Sequence, residues 1–411
     1  MSRQADTITT ARIGLPAGMT NADKPYPVVL VDTGQADLQK VEGDALDRIN
    51  DALAEAMQAV YPEPCGSAVL LKVHIGEPRC TTRMRPEFAR AASAFVSRTP
   101  SARIVAGDTT VAYTGDRGHQ QNPRGKVRAY LALAEAHGWR RDGPAGMPFV
   151  VLDRPSTSVP DAFMFENEAI RVEQEGLERY RDFHLSGGFA AADFTINYAH
   201  LTCHGLAGFA GCVKSIAMGC SSLKGKLRMH QSLLPFFDES RCVGCGLCVE
   251  NCPVEALHVP DDGKLPEAIR GVCIGCGECV AVCPNDAVVL RDEEITDWQR
   301  GRNTLPVRMA DYTVGMMCGR WNRAVHVLHL YSITRQCDCV NIRQEPFLAR
   351  DFGFLVGRNP FALDAVAADL LGEHIAEKQS WAARAAHETA QYVQARYNIH
   401  CRPPLLHQRV S

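Results

Sequence analysis

Along the first two hundred residues, short apolar runs alternate with stretches whose apolar positions recur at helical spacing. Val28–Asp32 (VVLVD) predicts a strand, and Asp44–Val60 then places Leu46, Ile49, Leu53, Met57 and Val60 on one helix face. Ala68–His74 and Ile104–Asp108 predict two more strands. Between them a helix opens at Pro86, whose fixed φ suits a first turn, with Phe88, Ala91, Ala92 and Phe95 as its stripe. A further helix opens at Pro123 and carries Val127, Tyr130, Leu131 and Ala134, with Gly138 where a C-terminal cap is expected. Phe149–Asp153 and Phe194–Tyr198 follow as strands. The pattern breaks near Pro235 and resumes after Asp297, with strands at Val325–Leu330 and Phe352–Val356. Asn359 and Pro360 start a last periodic helix that Gly372 is expected to end, and the stretch beyond Gln379 again reads as helical.

Strands alternating with helices predict an α/β fold built on a doubly wound, mainly parallel sheet. The break makes that domain discontinuous, 1–237 and 293–411, around an insertion over 238–292. The insertion is an internal repeat. CVGCGLCVENCPVEALHV from Cys242 aligns with CIGCGECVAVCPNDAVVL from Cys273, and each half is C-x2-C-x2-C-x3-C-P. Three thiolates at this spacing can each take one corner of a 4Fe–4S cube, while the fourth points to the other half's cluster. Cys242, Cys245, Cys248 and Cys283 are therefore expected to hold one cluster, and Cys273, Cys276, Cys279 and Cys252 the other. Zinc sites more often use two C-x2-C pairs separated by a long loop. Gly244, Gly246, Gly275 and Gly277 let the backbone pass close to such a group. The insertion thus reads as an α+β dicluster ferredoxin-like domain.

Composition narrows the setting. Apolar residues are 46% and charged residues 22% of the chain, and formal net charge is −3, which gives no global basis for nucleic-acid binding. No apolar run approaches the roughly 20 residues that span a bilayer, and no apolar signal core opens the chain. A cytoplasmic protein with neither a nucleic-acid nor a membrane partner is expected. Its 17 cysteines are then better read as metal ligands or reactive thiols than as disulfides.

Three polar groupings lie outside the repeat. The segment from Ala199 to His230 follows a strand end, where open α/β sheets place their sites, and it carries Cys203, His204, Cys212, Lys214 and Cys220 among small residues. It is not a P-loop, because Lys226 is followed by leucine and the glycine spacing differs. His204 and Lys214 are candidates for substrate binding or proton delivery, whereas Lys224, Lys226 and Arg228 read as a solvated face that compensates cluster charge. Cys337 and Cys339 form the second grouping. Residues two apart in extended chain share a face, so the thiols can meet one metal or one another, with Cys203 a further candidate for a third metal or reactive-thiol site. The third grouping collects Lys72, His74, Asp108, Tyr113 and Arg117 from earlier strand ends, which suits a small anionic ligand. Tyr113 joins His204 and Lys214 as a candidate proton donor. His326 and His329 cannot share a strand face and read as packed residues.

Taken together, KVHIGEPRCTTRMRPEF from Lys72, GDTTVAYTGDR from Gly107, HGLAGFAGCVKSIAMGCSSLKGKLRMH from His204, the paired cysteine motifs, CDC at Cys337 and DFGFLVGRNPFALDAVAADL from Asp351 resemble the domain of unknown function 362 family. The likeness is to its subset with an inserted two-cluster ferredoxin module. The resemblance implies an iron–sulfur protein and carries no single reaction with it. The expectation that follows is an oxidoreductase. Two 4Fe–4S clusters would pass electrons from an external ferredoxin, flavodoxin or reductase to a small, anionic organic substrate in the α/β domain. A non-catalytic electron-transfer subunit and a metal or cluster assembly protein are the alternatives.

Overall fold

The computed structural model describes residues 8–11, 19, 25–63, 65–111, 117, 123–153, 168–172, 177, 179–180, 182–204, 207–230, 233–252, 255–261, 263, 265–269, 272–273, 279, 283–285, 287–292, 305–343 and 347–410. Eight strands make the central sheet: β1 (Val28–Asp32), β2 (Ala68–Lys72), β3 (Arg103–Asp108), β4 (Phe149–Val151), β5 (Phe194–His200), β6 (Ala324–Leu330), β7 (Gly353–Gly357) and β8 (Leu405–Arg409). Their order is β8-β1-β7-β6-β5-β2-β3-β4. Every neighbouring pair is parallel except the two that β7 makes with β1 and β6. The fold is therefore mixed α/β on a large, mostly parallel sheet, with an antiparallel strand that the alternation alone did not indicate.

Both sheet faces are covered, which is why the strands are apolar at nearly every position. Val69 and Leu71 of β2 pack with Leu53 and Met57 of the helix Gly43–Val60 and with Phe88 and Phe95. Leu70, between them, faces Ile216 and Met309 on the opposite side. The same alternation separates Val325 and Val327 from Leu328 and Leu330 in β6. His326 and His329, on opposite faces of that strand, are both fully buried.

The chain runs from β2 outward through β3 to β4, then returns to place β5 on the other side of β2. That reversal is a topological switch point, the place where open α/β sheets put their sites, at the C-terminal ends of β2 and β5. The last helix differs from expectation. Asn359 does cap it, its side chain accepting the Phe361 and Ala362 N–H groups, but the helix spans Pro360–Tyr397 and passes through Gly372. It ends where Asn398 takes the left-handed conformation, at φ 54°, that asparagine tolerates better than most residues.

Within 238–292 the described elements are short. Leu233–Phe237 pairs antiparallel with Val288–Asp292, so the segment leaves and re-enters the body on adjacent strands. Between them lie the helix Leu247–Glu250 and the paired strands Leu257–His258 and Glu267–Ala268. Cys248, Leu257, Cys279 and Val288 join the same buried cluster as Met229, Leu305 and Met309, so the segment packs against the body. Among the described residues no helix is long and apolar enough to cross a membrane.

The antiparallel strand supplies a test. Gly353, at φ 117°, opens β7 with its Cα against the Val31 carbonyl, where a Cβ would collide. Gly353→Ala is expected to cost about 3 kcal/mol or more. In urea unfolding this lowers the midpoint at unchanged slope; a wild-type midpoint would show that β7 does not pair as described.

Candidate functional site

Lys72 is the last residue of β2 and Asp108 the last of β3, so parallel pairing alone brings them side by side. Lys72 Nζ lies 3.0 Å from Asp108 Oδ1, and Arg117 Nη2 lies 2.9 Å from Asp108 Oδ2. Arg117 Nη1 also donates to Glu77 Oε1 at 2.9 Å. All four side chains are buried. Two cations thus face two carboxylates, and the charge expected to attract an anionic ligand is already balanced inside the protein. Buried cations without such partners would carry a large desolvation cost, so these pairs hold Lys72 and Arg117 in place. Burial works to raise the Asp108 pKa, yet Lys72 and Arg117 hold it well below the carboxylate range. Arg117 Nε also donates to Tyr130 Oη at 3.1 Å, and that hydroxyl donates in turn to the Thr109 carbonyl. His74 accepts the Gly76 N–H at Nδ1, 3.0 Å away, and sits 3.4 Å from Arg117 Nη1. Burial and Arg117 push its pKa down to about 3, so it is a neutral imidazole.

A second buried pair lies on the β5 side of the switch point. His200, at the end of β5, places Nδ1 2.6 Å from Asp338 Oδ2 and donates from Nε2 to the Tyr331 carbonyl at 2.7 Å. With a carboxylate at one nitrogen and a carbonyl at the other, the ring is held as imidazolium. Burial opposes that charge, but Asp338 raises the His200 pKa. Thr82 Oγ1 and Cys80 Sγ donate to Asp338 Oδ1 at 2.9 and 3.3 Å, and the Glu77 N–H donates to its carbonyl. Glu77, His200 and Asp338 escaped sequence reasoning. The middle position of C-D-C and the acid of KVHIGEP were the available signals.

Anchoring Asp338 inward sets its neighbours on the other face of the chain. Cys337 and Cys339 meet there as a disulfide, the like-with-like outcome their spacing allowed. One donor atom each of His204, Cys337 and Cys339 lie within 4.8 Å of one another. Lys214, from the helix Cys212–Ala217, points Nζ at Cys337 Sγ from 3.4 Å. Burial, with Arg117 nearby, pushes the Lys214 pKa down to about 8. Burial and Lys214 carry His204 well below its usual value. Its Nδ1 accepts the Ala207 N–H at 3.0 Å, so the neutral ring carries its proton on Nε2. Cys203 stands apart, because adjacent residues of the strand Thr202–His204 face opposite ways and Cys203 packs with Leu201, Phe209 and Leu328. Tyr113 lies outside the described residues.

Lys226 departs from the solvated face expected of it. The helix Leu223–His230 approaches closely at Gly225, where a Cβ would meet the His184 carbonyl at 2.6 Å. Lys226 is thereby buried, donating to Thr109 Oγ1 at 2.9 Å and the Ser221 carbonyl at 2.6 Å. Lys224 stays exposed. His329 packs among the rings of Phe88, Tyr198, Tyr331 and Phe354.

In the cysteine repeat, Cys242, Cys245, Cys248 and Cys283 line one pocket of about 80 Å³ together with Phe237, Val259 and Val288. Gly244 and Gly246 border it at φ 67° and 77°. The two C-P cysteines behave alike: Cys252 Sγ accepts the Ala256 N–H, and Cys283 Sγ the Ala287 N–H, each at 3.2 Å. Cys279 is buried and Cys273 partly so. Cys276, Gly275 and Gly277 lie outside the described residues.

A family model described as domain of unknown function (DUF362) matches residues 69–369. No curated protein matches. Among solved structures, the lactate racemase apoprotein from Thermoanaerobacterium thermosaccharolyticum is 12% identical with a TM-score of 0.32, over 78% of this chain and 52% of that one. A Thermotoga maritima protein is 9% identical with a TM-score of 0.33, over 86% of this chain and 61% of its own. The chain therefore spans little more than half the length of these structures.

The buried carboxylates set a pH window. Asp108 and Asp338 both have depressed pKa values in the folded state, so their stabilisation is complete above the unfolded value near 4 and is lost as pH falls toward the folded values. Urea midpoints should begin to fall below about pH 6.5, because His74, His137, His204, His326 and His329 are buried as neutral rings and take up protons on unfolding, and the two aspartates should steepen that fall below about pH 4. Asp108→Ala, which leaves Lys72 without a carboxylate and Arg117 with Glu77 alone, should cost about 3–5 kcal/mol at pH 7 and flatten the limb below pH 4; an unchanged limb there would refute the pairing.

Proposed function

The chain belongs to the DUF362 family, and we propose that it is an iron–sulfur oxidoreductase whose 238–292 segment is an inserted ferredoxin-like α+β domain. The observation that carries this reading is the pocket that Cys242, Cys245 and Cys248 share with Cys283 from the second motif. Ligation across the repeat requires that set, whereas a zinc knuckle would draw its pairs differently. The matching N–H donors to Cys252 and Cys283 support the same pseudo-symmetric arrangement, since amide hydrogen bonds to sulfur tune such centres. Cys273, Cys276, Cys279 and Cys252 are the proposed ligands of the second cluster. When bound, the two 4Fe–4S clusters supply electrons singly from an external ferredoxin, flavodoxin or reductase in a reducing cytoplasm.

The rest is the work of the α/β domain. Lys214 and His204 stand at the switch point, and among the described residues no carboxylate lies within ion-pair distance of Lys214. Its pKa of about 8 leaves it protonated at neutral pH yet able to give up that proton. The neutral His204 offers Nε2–H as a directed donor. These two groups suit a small anionic organic substrate that takes up electrons and a proton. Asp108, Arg117, Lys72 and Glu77 hold the surrounding loops and do not bind it. Tyr113 remains a proton-donor candidate on sequence grounds.

Anaerobically isolated protein should contain about eight iron and eight acid-labile sulfides. A small molecule that co-purifies with it should reoxidise the dithionite-reduced clusters, followed by their visible absorption. His204→Ala should slow that reoxidation by about 10²–10⁴-fold at unchanged iron content. Stoichiometric zinc without sulfide would end the cluster reading; wild-type rates in His204→Ala would end the assignment of the site.

A further inference from the structure

We propose that Cys337 and Cys339 form a redox-active dithiol–disulfide pair that exchanges with dithiol reductants, with Cys337 as the stabilised thiolate and Cys339 as the sulfur that is attacked. The proposal stands on the placement of four residues and does not depend on the iron–sulfur reading.

A structural purpose explains this disulfide poorly. It closes a loop between residues only two apart, which constrains the unfolded chain little. Its surroundings are those of an exchange centre. The two sulfurs are unequal in access, Cys337 being 2% exposed and Cys339 only partly buried. They are also unequal in electrostatics. Lys214 Nζ approaches Cys337 Sγ at 3.4 Å, and the Cys339 N–H donates to the same sulfur at 3.1 Å. A cation and an amide donor aimed at one sulfur favour its thiolate, and a thiol stabilised as thiolate is the better leaving group. The Asp338 side chain, whose charge would oppose this, is turned away and paired with His200. Among the described residues, the other charges acting on Lys214 include Arg117 and Lys72, each paired with Asp108, and the neutral rings of His74 and His204 also lie near it.

The chemistry balances. A thiolate of the incoming dithiol attacks Cys339 Sγ, the Cys337–Cys339 bond breaks, and Cys337 leaves as a thiolate beside Lys214. The reductant's second thiol, deprotonated, attacks its own sulfur in the mixed disulfide and releases Cys339, which takes a proton. The reductant is oxidised by two electrons to its disulfide, and the protein pair is reduced by the same two. A metal held by His204, Cys337 and Cys339 is the competing use of these atoms. It is disfavoured by a lysine ammonium at the sulfur and by a His204 tautomer that keeps its proton on Nε2.

The tryptic peptide Gln336–Arg343 contains these two cysteines and no other, so their state can be read apart from the rest. Whole protein is equilibrated anaerobically with dithiothreitol at graded oxidised-to-reduced ratios, quenched in acid, alkylated and digested. The peptide should pass from unlabelled to doubly labelled in one two-electron step. In Cys339→Ser, the pH profile of Cys337 alkylation should have its midpoint below the free-cysteine value of about 8.5. Adding Lys214→Gln should raise that midpoint by about one unit, a tenfold loss of thiolate at neutral pH. A peptide doubly labelled at every ratio, protection that tracks bound zinc, or a midpoint indifferent to Lys214→Gln would each overturn the proposal. Because none of these readouts involves iron, their failure is separable from failure of the cluster reading.

Discussion

The site depends on one constraint: charges carried to the C-terminal ends of a buried parallel sheet must find partners there. Lys72 ends β2 and Asp108 ends β3, and neither can reach bulk water. Arg117 and Glu77 complete a neutral set around them, and the Glu77 backbone then ties that set to Asp338 and, through it, to His200 at the end of β5. Three loops are thereby locked to three strands by pairs whose members would each be costly to leave alone.

Neutrality of that network has a consequence for chemistry. Because Asp108 and Glu77 answer Lys72 and Arg117, and Asp338 answers His200, Lys214 is left facing a sulfur in place of a carboxylate. Its depressed pKa follows from burial and from Arg117 nearby. Lysine, neutral imidazole and a sulfur pair then lie together on ground that the ion pairs have made rigid. In the proposed reaction, Lys214 and His204 are the groups able to hold an anion and move a proton. The 238–292 segment contributes to this by being packed on the body between adjacent strands, so its position relative to the body is set by a shared core.

What the chain's sequence determined by itself is whatever depends on local periodicity and spacing. The strands at β1, β2, β3, β5 and β6 were legible because burial on both faces demands unbroken apolar runs, and the Asn359 cap because its oxygen serves amides only two and three residues away. The grouping of Cys242, Cys245 and Cys248 was legible for the same reason. Matters set by contacts distant in sequence were not. Gly372 was read as a stop, yet packing carries that helix on to Asn398. Lys226 was read as solvated, yet a close approach at Gly225 buries it. Lys72 and Arg117 read as ligand-seeking cations, because spacing alone does not show that Asp108 bridges them or that Glu77 reaches Arg117 from another loop. Only the tertiary structure decided that C-D-C turns its acid toward His200 and its sulfurs toward His204 and Lys214. That choice is made by the cost of burying Asp338 unpaired, and His200 lies 138 residues away along the chain.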